Sequence, residues 1–455
     1  MKRPWITSRR LGALRITIEL DKYKENYTTW DQIEGTVAVT ADTKTAFGDV
    51  DITLEGLSRV AQLQPITTSS RGLKPSHTFL KLHQPMDSTK YPTSRTLVPG
   101  ELYTFPFTFV IPAELPLGSC LHGASDPSIQ QTHSQLPPTV CLETLSQELC
   151  RISYLIRVAI TPQGTGKKRE VLATSTRSLH VVPTTWGGQD YSNRPQDHPR
   201  LRCLADEELK SDWKAVALGR FAVIGHSPAS FLCPSTKIQH NSVTFQLRFD
   251  PVGDIHPPRL RTLHSSLMAS TTLTTSPKTY LLSPTNMPTN TPGCGEHVTA
   301  ISFPSVDISS TRWIKHVSTS TRGLEAAEVY YTASMTVPIH LPKNGGLLPT
   351  FHSCLVSRTY LLKLRLSYRM HNTPAAVSRA IKLETPIIFI NGSITPPQYR
   401  MDPQNLSQPP PPYSAPESPG IAQGIFSQDV FSVGQDQQGI SLRYSNAVEK
   451  TLPSV

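Results

Sequence analysis

Apolar and polar residues alternate along many short segments of this chain, and this period of two narrows the possible folds more than any other feature. In Leu14–Leu20, leucine and isoleucine occupy the even positions, and the odd positions are charged or polar. In residues 102–112, an aromatic and aliphatic row points to one side and Pro106 lies on the other. Such alternation predicts strands with one buried face. Pro106 further predicts an edge strand or a bulge.

The alternating segments follow one another at short spacing in both halves of the chain. The clearest ones in the second half are residues 242–250 and 357–368. No amphipathic helices are predicted between them, so the pattern favours packed antiparallel sheets over a β/α fold. We therefore predict an all-β chain of two tandem β-sandwiches followed by a disordered, proline-rich C-terminal tail.

Composition suggests where the sandwiches begin and end. The stretch 186–199 is rich in Gly, Asp, Asn and Pro, and residues 262–292 are dominated by Ser, Thr and Pro, which is typical of linkers and flexible insertions. The predicted organisation is a disordered arm (1–12), an N-terminal sandwich (13–183), a linker (184–214), a C-terminal sandwich (215–393) with a flexible insertion (262–292), and a disordered tail (394–455).

The tail contains two Pro-Pro-x-Tyr motifs whose first prolines lie 14 residues apart. Consecutive prolines favour an extended polyproline II ribbon, which is already ordered before it meets the aromatic groove of a WW domain. A single motif of this kind is common in solvated linkers, but two copies ending in tyrosine favour a binding function. The predicted WW-binding residues are Pro396, Pro397 and Tyr399 in the first motif and Pro410, Pro411 and Tyr413 in the second.

Composition also indicates the cellular compartment and the classes of binding partner. The seven cysteines are scattered without a Cys-x-x-Cys pair, and we identify neither a signal peptide nor a membrane span, so we expect a reducing, cytoplasmic environment. The net charge of +10 fits contact with an acidic membrane surface or acidic protein tails, and it equally fits a surface without such a partner. We find no basic stripe interleaved with aromatic residues, so nucleic acid is not an expected partner.

Patterns for catalysis and metal binding are weak. The stretch 164–168 lacks the glycine and the following helix that a phosphate loop requires, and the chain has no Gly-x-Ser-x-Gly or His-Glu-x-x-His sequence. Five residues in one loop-rich span could ligate zinc, but their spacing matches no regular finger. We therefore expect the chain to have no enzyme activity and no cofactor. We also expect no metal at the loop-rich span, whose candidate zinc ligands are Cys120, His122, His133, Cys141 and Cys150.

Several segments, taken in order, resemble the fungal α-arrestin family. In the first half these are Leu14–Leu20, Tyr27 with residues 33–35, and residues 50–59. They are followed by residues 97–112 with the character Gly-x-x-x-x-Pro-Phe-x-Phe-x-x-Pro, and by the Leu-Pro-Pro-Thr element at 136–139 before the aliphatic strand 152–160. In the second half, residues 348–351 and 354–366 look like the corresponding segment. The resemblance covers residues 13–183 well and 215–393 loosely.

The resemblance implies two immunoglobulin-like sandwiches, no enzymatic activity and a role as a trafficking adaptor. Such adaptors bind plasma-membrane transporters or receptors and recruit WW-domain HECT-type ubiquitin ligases through Pro-Pro-x-Tyr motifs, which leads to cargo ubiquitination and endocytosis. A cytoplasmic protein recruited peripherally to the plasma membrane or endosomes is the matching expectation.

Two alternatives remain open at this point. One is a scaffold without ubiquitin chemistry, whose tail binds another WW or SH3 protein. The other is an unrecognised hydrolase built on a β-sandwich.

Overall fold

The computed structural model of the chain describes residues 6–11, 13–61, 76–86, 89, 91–116, 119–120, 127–145, 147–163, 171–184, 200–211, 216–227, 229–233, 241–277, 293–318, 328–341, 347–370 and 378–391. Apart from one short helix and a few turns, these residues form two β-sandwiches, each with its own hydrophobic core. The predicted fold class is confirmed.

The first sandwich packs a four-stranded sheet, in the order β1-β2-β3-β8, against a second sheet in the order β11-β10-β5-β6, with β9 pairing β10 at one end. A two-stranded ribbon of β4 and β7 stands beside them. The elements are β1 (Ile6–Leu11), β2 (Leu14–Leu20), β3 (Gln32–Ala41), β4 (Thr45–Ala46), β5 (Val50–Val60), β6 (Ser76–His83), β7 (Thr96–Leu97), β8 (Leu102–Val110), α1 (Pro127–His133), β9 (Val140–Glu143), β10 (Glu148–Ile160) and β11 (Ala173–Leu179).

The second sandwich packs a sheet of order β12-β13-β15-β20-β19 against one of order β14-β23-β22-β16-β17, to which β18 and β21 add short pairings. Strand β14 pairs β23 in parallel, whereas the other pairs of named strands in the described residues are antiparallel. The elements are β12 (Arg200–Lys210), β13 (Ala217–Ser227), β14 (Ala229–Leu232), β15 (Asn241–Pro251), β16 (Arg259–Thr274), β17 (Cys294–Ser302), β18 (Val306–Asp307), β19 (Ile314–Ser318), β20 (Glu328–Ile339), β21 (Phe351–His352), β22 (Val356–Arg369) and β23 (Arg379–Ile390).

The period of two predicted the buried faces correctly. In β2, the four even-numbered aliphatic residues are buried while Arg15 and Glu19 are exposed. In β8, Phe105, Phe107 and Phe109 are buried, and Pro106 faces solvent on the edge strand of its sheet. At the edge, the missing N–H of a proline removes no hydrogen bond of the ladder, so this position tolerates it.

The two sandwiches meet through apolar side chains. Leu273 at the end of β16, Phe351 in β21, and Leu355 and Val356 at the start of β22 are buried in the core of the first sandwich. Beyond β23, the Asn391 side-chain amide donates to the carbonyl oxygens of Val182 and Pro183, at 3.0 and 3.2 Å. The end of the second sandwich is therefore joined to the end of the first.

The prediction of a flexible insertion at 262–292 is wrong for its first half. Residues 262–274 lie within β16, the longest strand, which pairs with β22 on one side and β17 on the other. Threonine is a favourable strand residue because its branched side chain suits a pleated surface, and Thr271, Thr272 and Thr274 are buried near the junction of the sandwiches. Composition rich in Ser and Thr concealed a central strand. Residues 278–292 lie outside the described part of the chain.

Two smaller expectations also need correction. The arm predicted to be disordered at 1–12 contains β1, and the predicted linker 184–214 contains β12. Strand β12 has Leu209 as its one buried residue among those described, so it lacks the alternation that identifies a half-buried strand. The helix α1, of seven residues, is too short to show a helical period.

Candidate functional site

The predicted ligase-binding residues fall beyond the last described strand. Pro396, Pro397, Tyr399, Pro410, Pro411 and Tyr413 all lie outside the described residues. The described chain ends at Asn391, five residues before the first motif, and Asn391 is bonded to the first sandwich. Asn391, the last described residue, therefore lies at the junction of the two sandwiches, and the motifs follow it in the sequence.

A cluster of positive charge lies on the outer side of the second sandwich, where β16, β22 and β23 run next to one another. We call it the basic face, and it consists of Arg259, Arg261, His264, Lys363, Arg365, Arg369 and Lys382. Among the outward-facing residues of these described strand segments, Glu384 is the one acid, and it pairs with Lys363 at 2.8 Å. The face is therefore strongly positive.

The strand register places like charges directly opposite each other on this face. Arg365 is the cross-strand partner of Lys382, and Arg259 is the partner of Arg369. Directly opposed like charges destabilise a sheet. An acidic partner, such as an anionic lipid surface or an acidic protein segment, would relieve this repulsion.

The sequence alone did not identify the basic face. Its members come from three strands and are separated by about a hundred residues of chain, so they form no run in the sequence. The one available signal was the alternation of 357–368, which places Lys363 and Arg365 on the side opposite the leucines. The outward positions of the face hold no aromatic side chain, unlike a surface that stacks nucleic-acid bases.

A cleft of about 530 Å³ opens on the first sandwich beside β5. Its polar side chains bind one another: the Tyr91 hydroxyl donates to Asp49, His83 Nδ1 lies 2.9 Å from Asp51, and the Arg95 guanidinium donates to the carbonyl oxygen of Gly48. Burial, followed by the hydrogen bond with Asp49, raises the pKa of Tyr91 to about 12. These contacts account for the polar groups of the cleft, and we assign it no ligand.

A second cluster lies between the sandwiches and combines two of the cysteine and histidine candidates with a residue that sequence reasoning did not connect to them. Cys120 Sγ is 3.5 Å from His133 Nδ1, and Cys354 from the second sandwich completes the group. All three side chains are buried. The hydrogen bond between the two thiols, followed by burial, raises the pKa of Cys354 well above its usual range.

The other candidates of the loop-rich span do not join this cluster. His122 lies outside the described residues. The Cys141 thiol donates to Glu143, while Cys150 is buried in the first core, where burial raises its pKa to about 12. Cys354 was missed because it is more than two hundred residues from Cys120 in the chain, and only the fold brings them together.

Within the part of the chain that the structure describes, no helix has both the length and the apolar character needed to cross a bilayer. A family model described as the N-terminal domain of arrestin (or S-antigen) matches residues 16–184. This range coincides with the first sandwich. No curated protein matches the chain.

Proposed function

Since the chain is an arrestin-like protein whose N-terminal domain spans residues 16–184, we propose that it is a trafficking adaptor linking membrane transporters or receptors to a WW-domain HECT-type ubiquitin ligase. In this role it promotes ubiquitination and endocytosis of its cargo. The adaptor needs no catalytic site of its own, because the transfer chemistry belongs to the ligase. It acts in the cytoplasm and is recruited to the plasma membrane or endosomes.

The observation that carries this proposal is the combination of an arrestin-type domain with two Pro-Pro-x-Tyr motifs in one chain. Each motif offers a stiff proline pair for an aromatic groove and a tyrosine for a second pocket. Pro396, Pro397 and Tyr399 form the first contact, and Pro410, Pro411 and Tyr413 form the second. A proline-rich linker without a binding function would not be expected to contain the motif twice.

The spacing of the motifs supports simultaneous binding to two WW domains of one ligase. Fourteen residues of extended chain span at most ~45 Å, and binding of one motif raises the effective concentration of the other. Two individually weak contacts then give a tighter complex. The spacing therefore suits a ligase with several WW domains.

The basic face supports the other half of the proposal, which is contact with cargo and the inner leaflet. Cytoplasmic leaflets carry anionic lipids, and each Lys or Arg near such a surface contributes about 1 kcal/mol of attraction. The face lies on the second sandwich, and the tail begins at the junction with the first. Cargo, membrane and ligase can then be held by different parts of one chain.

The test of the ligase link is a pull-down of a multi-WW HECT ligase by the full-length chain. We expect Tyr399→Ala with Tyr413→Ala to abolish ligase recovery and cargo ubiquitination, because both tyrosine contacts are removed. Tyr444→Ala is the matched control, since Tyr444 lies in the same tail without a preceding proline pair. Ligase recovery at the wild-type level by the double variant would refute the proposal.

A further inference from the structure

The two sandwiches share a compact group of buried ligand-type side chains at their junction. Cys120 and His133 belong to the first sandwich and Cys354 to the second, and their relative exposures are 6%, 2% and 4%. One potential ligand atom from each residue lies within 4.8 Å of the other two. Three such residues in one apolar environment are unusual, because buried histidine is uncommon and its ring must be given partners.

Hydrogen bonds of neighbouring residues lie beside two members of the group. At the end of α1, next to His133, the Ser134 carbonyl oxygen accepts from the Leu115 amide at 2.6 Å. Cys354 lies in a tight turn between β21 and β22, which the Ser353 hydroxyl closes by donating to the Val356 carbonyl oxygen at 2.7 Å. Described hydrogen bonds therefore lie close to His133 and Cys354 along the chain.

The chemistry of the group suits zinc. Thiolate sulfur and imidazole nitrogen are the ligands that zinc takes in proteins, at about 2.3 Å and 2.0–2.1 Å, so that ligand atoms around a tetrahedral ion lie about 3.5–3.8 Å apart. The distance of 3.5 Å between Cys120 Sγ and His133 Nδ1 already has this value. No carboxylate belongs to the group, so harder ions such as calcium and magnesium are disfavoured.

The second cysteine-containing group in the described residues lacks these properties. Cys141, Glu143 and Glu148 lie on the surface or partly exposed, and Arg151 already pairs with both carboxylates. The guanidinium of Arg151 offsets part of the negative charge of Glu143 and Glu148. It therefore offers no comparable metal site.

We propose that Cys120, His133 and Cys354 bind one zinc ion, which links the two sandwiches. Both thiols lose their protons to solvent as the two Zn–S bonds form, and His133 binds through the Nδ1 lone pair. A water molecule or another small ligand fills the fourth position. Because Cys354 belongs to the other sandwich, the ion holds the two domains together, and this site is independent of the tail and of ligase binding.

The test is metal analysis of the full-length protein after exposure to Zn²⁺ and removal of loosely bound ions. We expect about one zinc ion per chain in the wild type, and loss of that ion in Cys354→Ser and His133→Gln. Cys150→Ser is the matched control, because Cys150 is equally buried but lies outside the group. It should keep its zinc.

A second measurement covers the case in which a variant fails to fold. Chelator-treated wild-type protein titrated with Co²⁺ should give the visible bands of a tetrahedral ion and a thiolate charge-transfer band, and added Zn²⁺ should remove them. The proposal is overturned if the wild type takes up no zinc, if Cys354→Ser retains it, or if the Co²⁺ spectrum lacks the thiolate band. A disulfide between Cys120 and Cys354, mapped by peptide mass spectrometry of the unreduced chain, would also overturn it.

Discussion

Tyr91 is a residue whose proton affinity the first sandwich changes strongly. Its ring lies 4.1 Å from the Arg95 guanidinium carbon, measured to the ring centroid, and its hydroxyl donates to Asp49. Burial and the nearby carboxylate both disfavour the tyrosinate form. The neutral hydroxyl is therefore part of the folded structure around the cleft.

The pKa of Tyr91 predicts how stability changes at high pH. An unfolded tyrosine loses its proton near pH 10, whereas Tyr91 keeps it until about 12, so the unfolded chain binds fewer protons in this window. The free energy of unfolding should then decrease as pH rises from about 10 to about 12. Urea unfolding should show a shallower decrease for Tyr91→Phe than for the wild type. Tyr23→Phe, at an exposed site, is the control, and identical slopes for Tyr91→Phe and the wild type would contradict the assignment.

At the scale of single elements, β16 is an interior strand of its sheet in the second sandwich, with β22 on one side and β17 on the other. Leu267 is fully buried and lies between its partners Leu362 in β22 and Ile301 in β17. Leu267→Ala should lower the free energy of unfolding by about 2–5 kcal/mol, measured by urea denaturation. Met268→Ala, on the opposite face of the same strand, should cost less. Near-equal small effects would indicate a loop at this position.

The three strands of the basic face make a second prediction at this scale. Arg365→Gln with Lys382→Gln should weaken binding to vesicles containing phosphatidylserine by about 2 kcal/mol, or roughly 30-fold. The measurement is vesicle co-sedimentation at low salt. The matched control is Arg312→Gln with Lys315→Gln, which removes the same charge beside the other sheet. Equal losses for both pairs would mean that only net charge matters.

The elements that sequence predicted best are those whose environment differs between their two faces. Phe105, Phe107 and Phe109 identified β8 because every second residue enters the core. Strand β12 was missed because it is mostly exposed, and β16 because its buried threonines and serines do not register as apolar. The basic face and the Cys120–His133–Cys354 group depend on strand register and domain packing, which no local pattern encodes.

At the scale of the whole molecule, the two tail motifs are expected to act together. Tyr399→Ala alone and Tyr413→Ala alone should each leave measurable ligase binding that is weaker than in the wild type, because one contact remains while the gain from tethering is lost. Isothermal titration calorimetry of each full-length variant with a tandem WW fragment measures the affinity. Unchanged affinity in either single variant would show that the corresponding motif is not used.

The hydrogen bonds from Asn391 to Val182 and Pro183 have a consequence for the geometry of the proposed ligase recruitment. They place Asn391, the residue from which the tail continues, at the junction of the two sandwiches and not at the far end of either one. Lysines of a cargo protein bound to either sandwich would then lie at a similar distance from the start of the tail. In the proposed function, the choice of ubiquitinated cargo would then depend on which protein the sandwiches bind, and not on where the tail is attached.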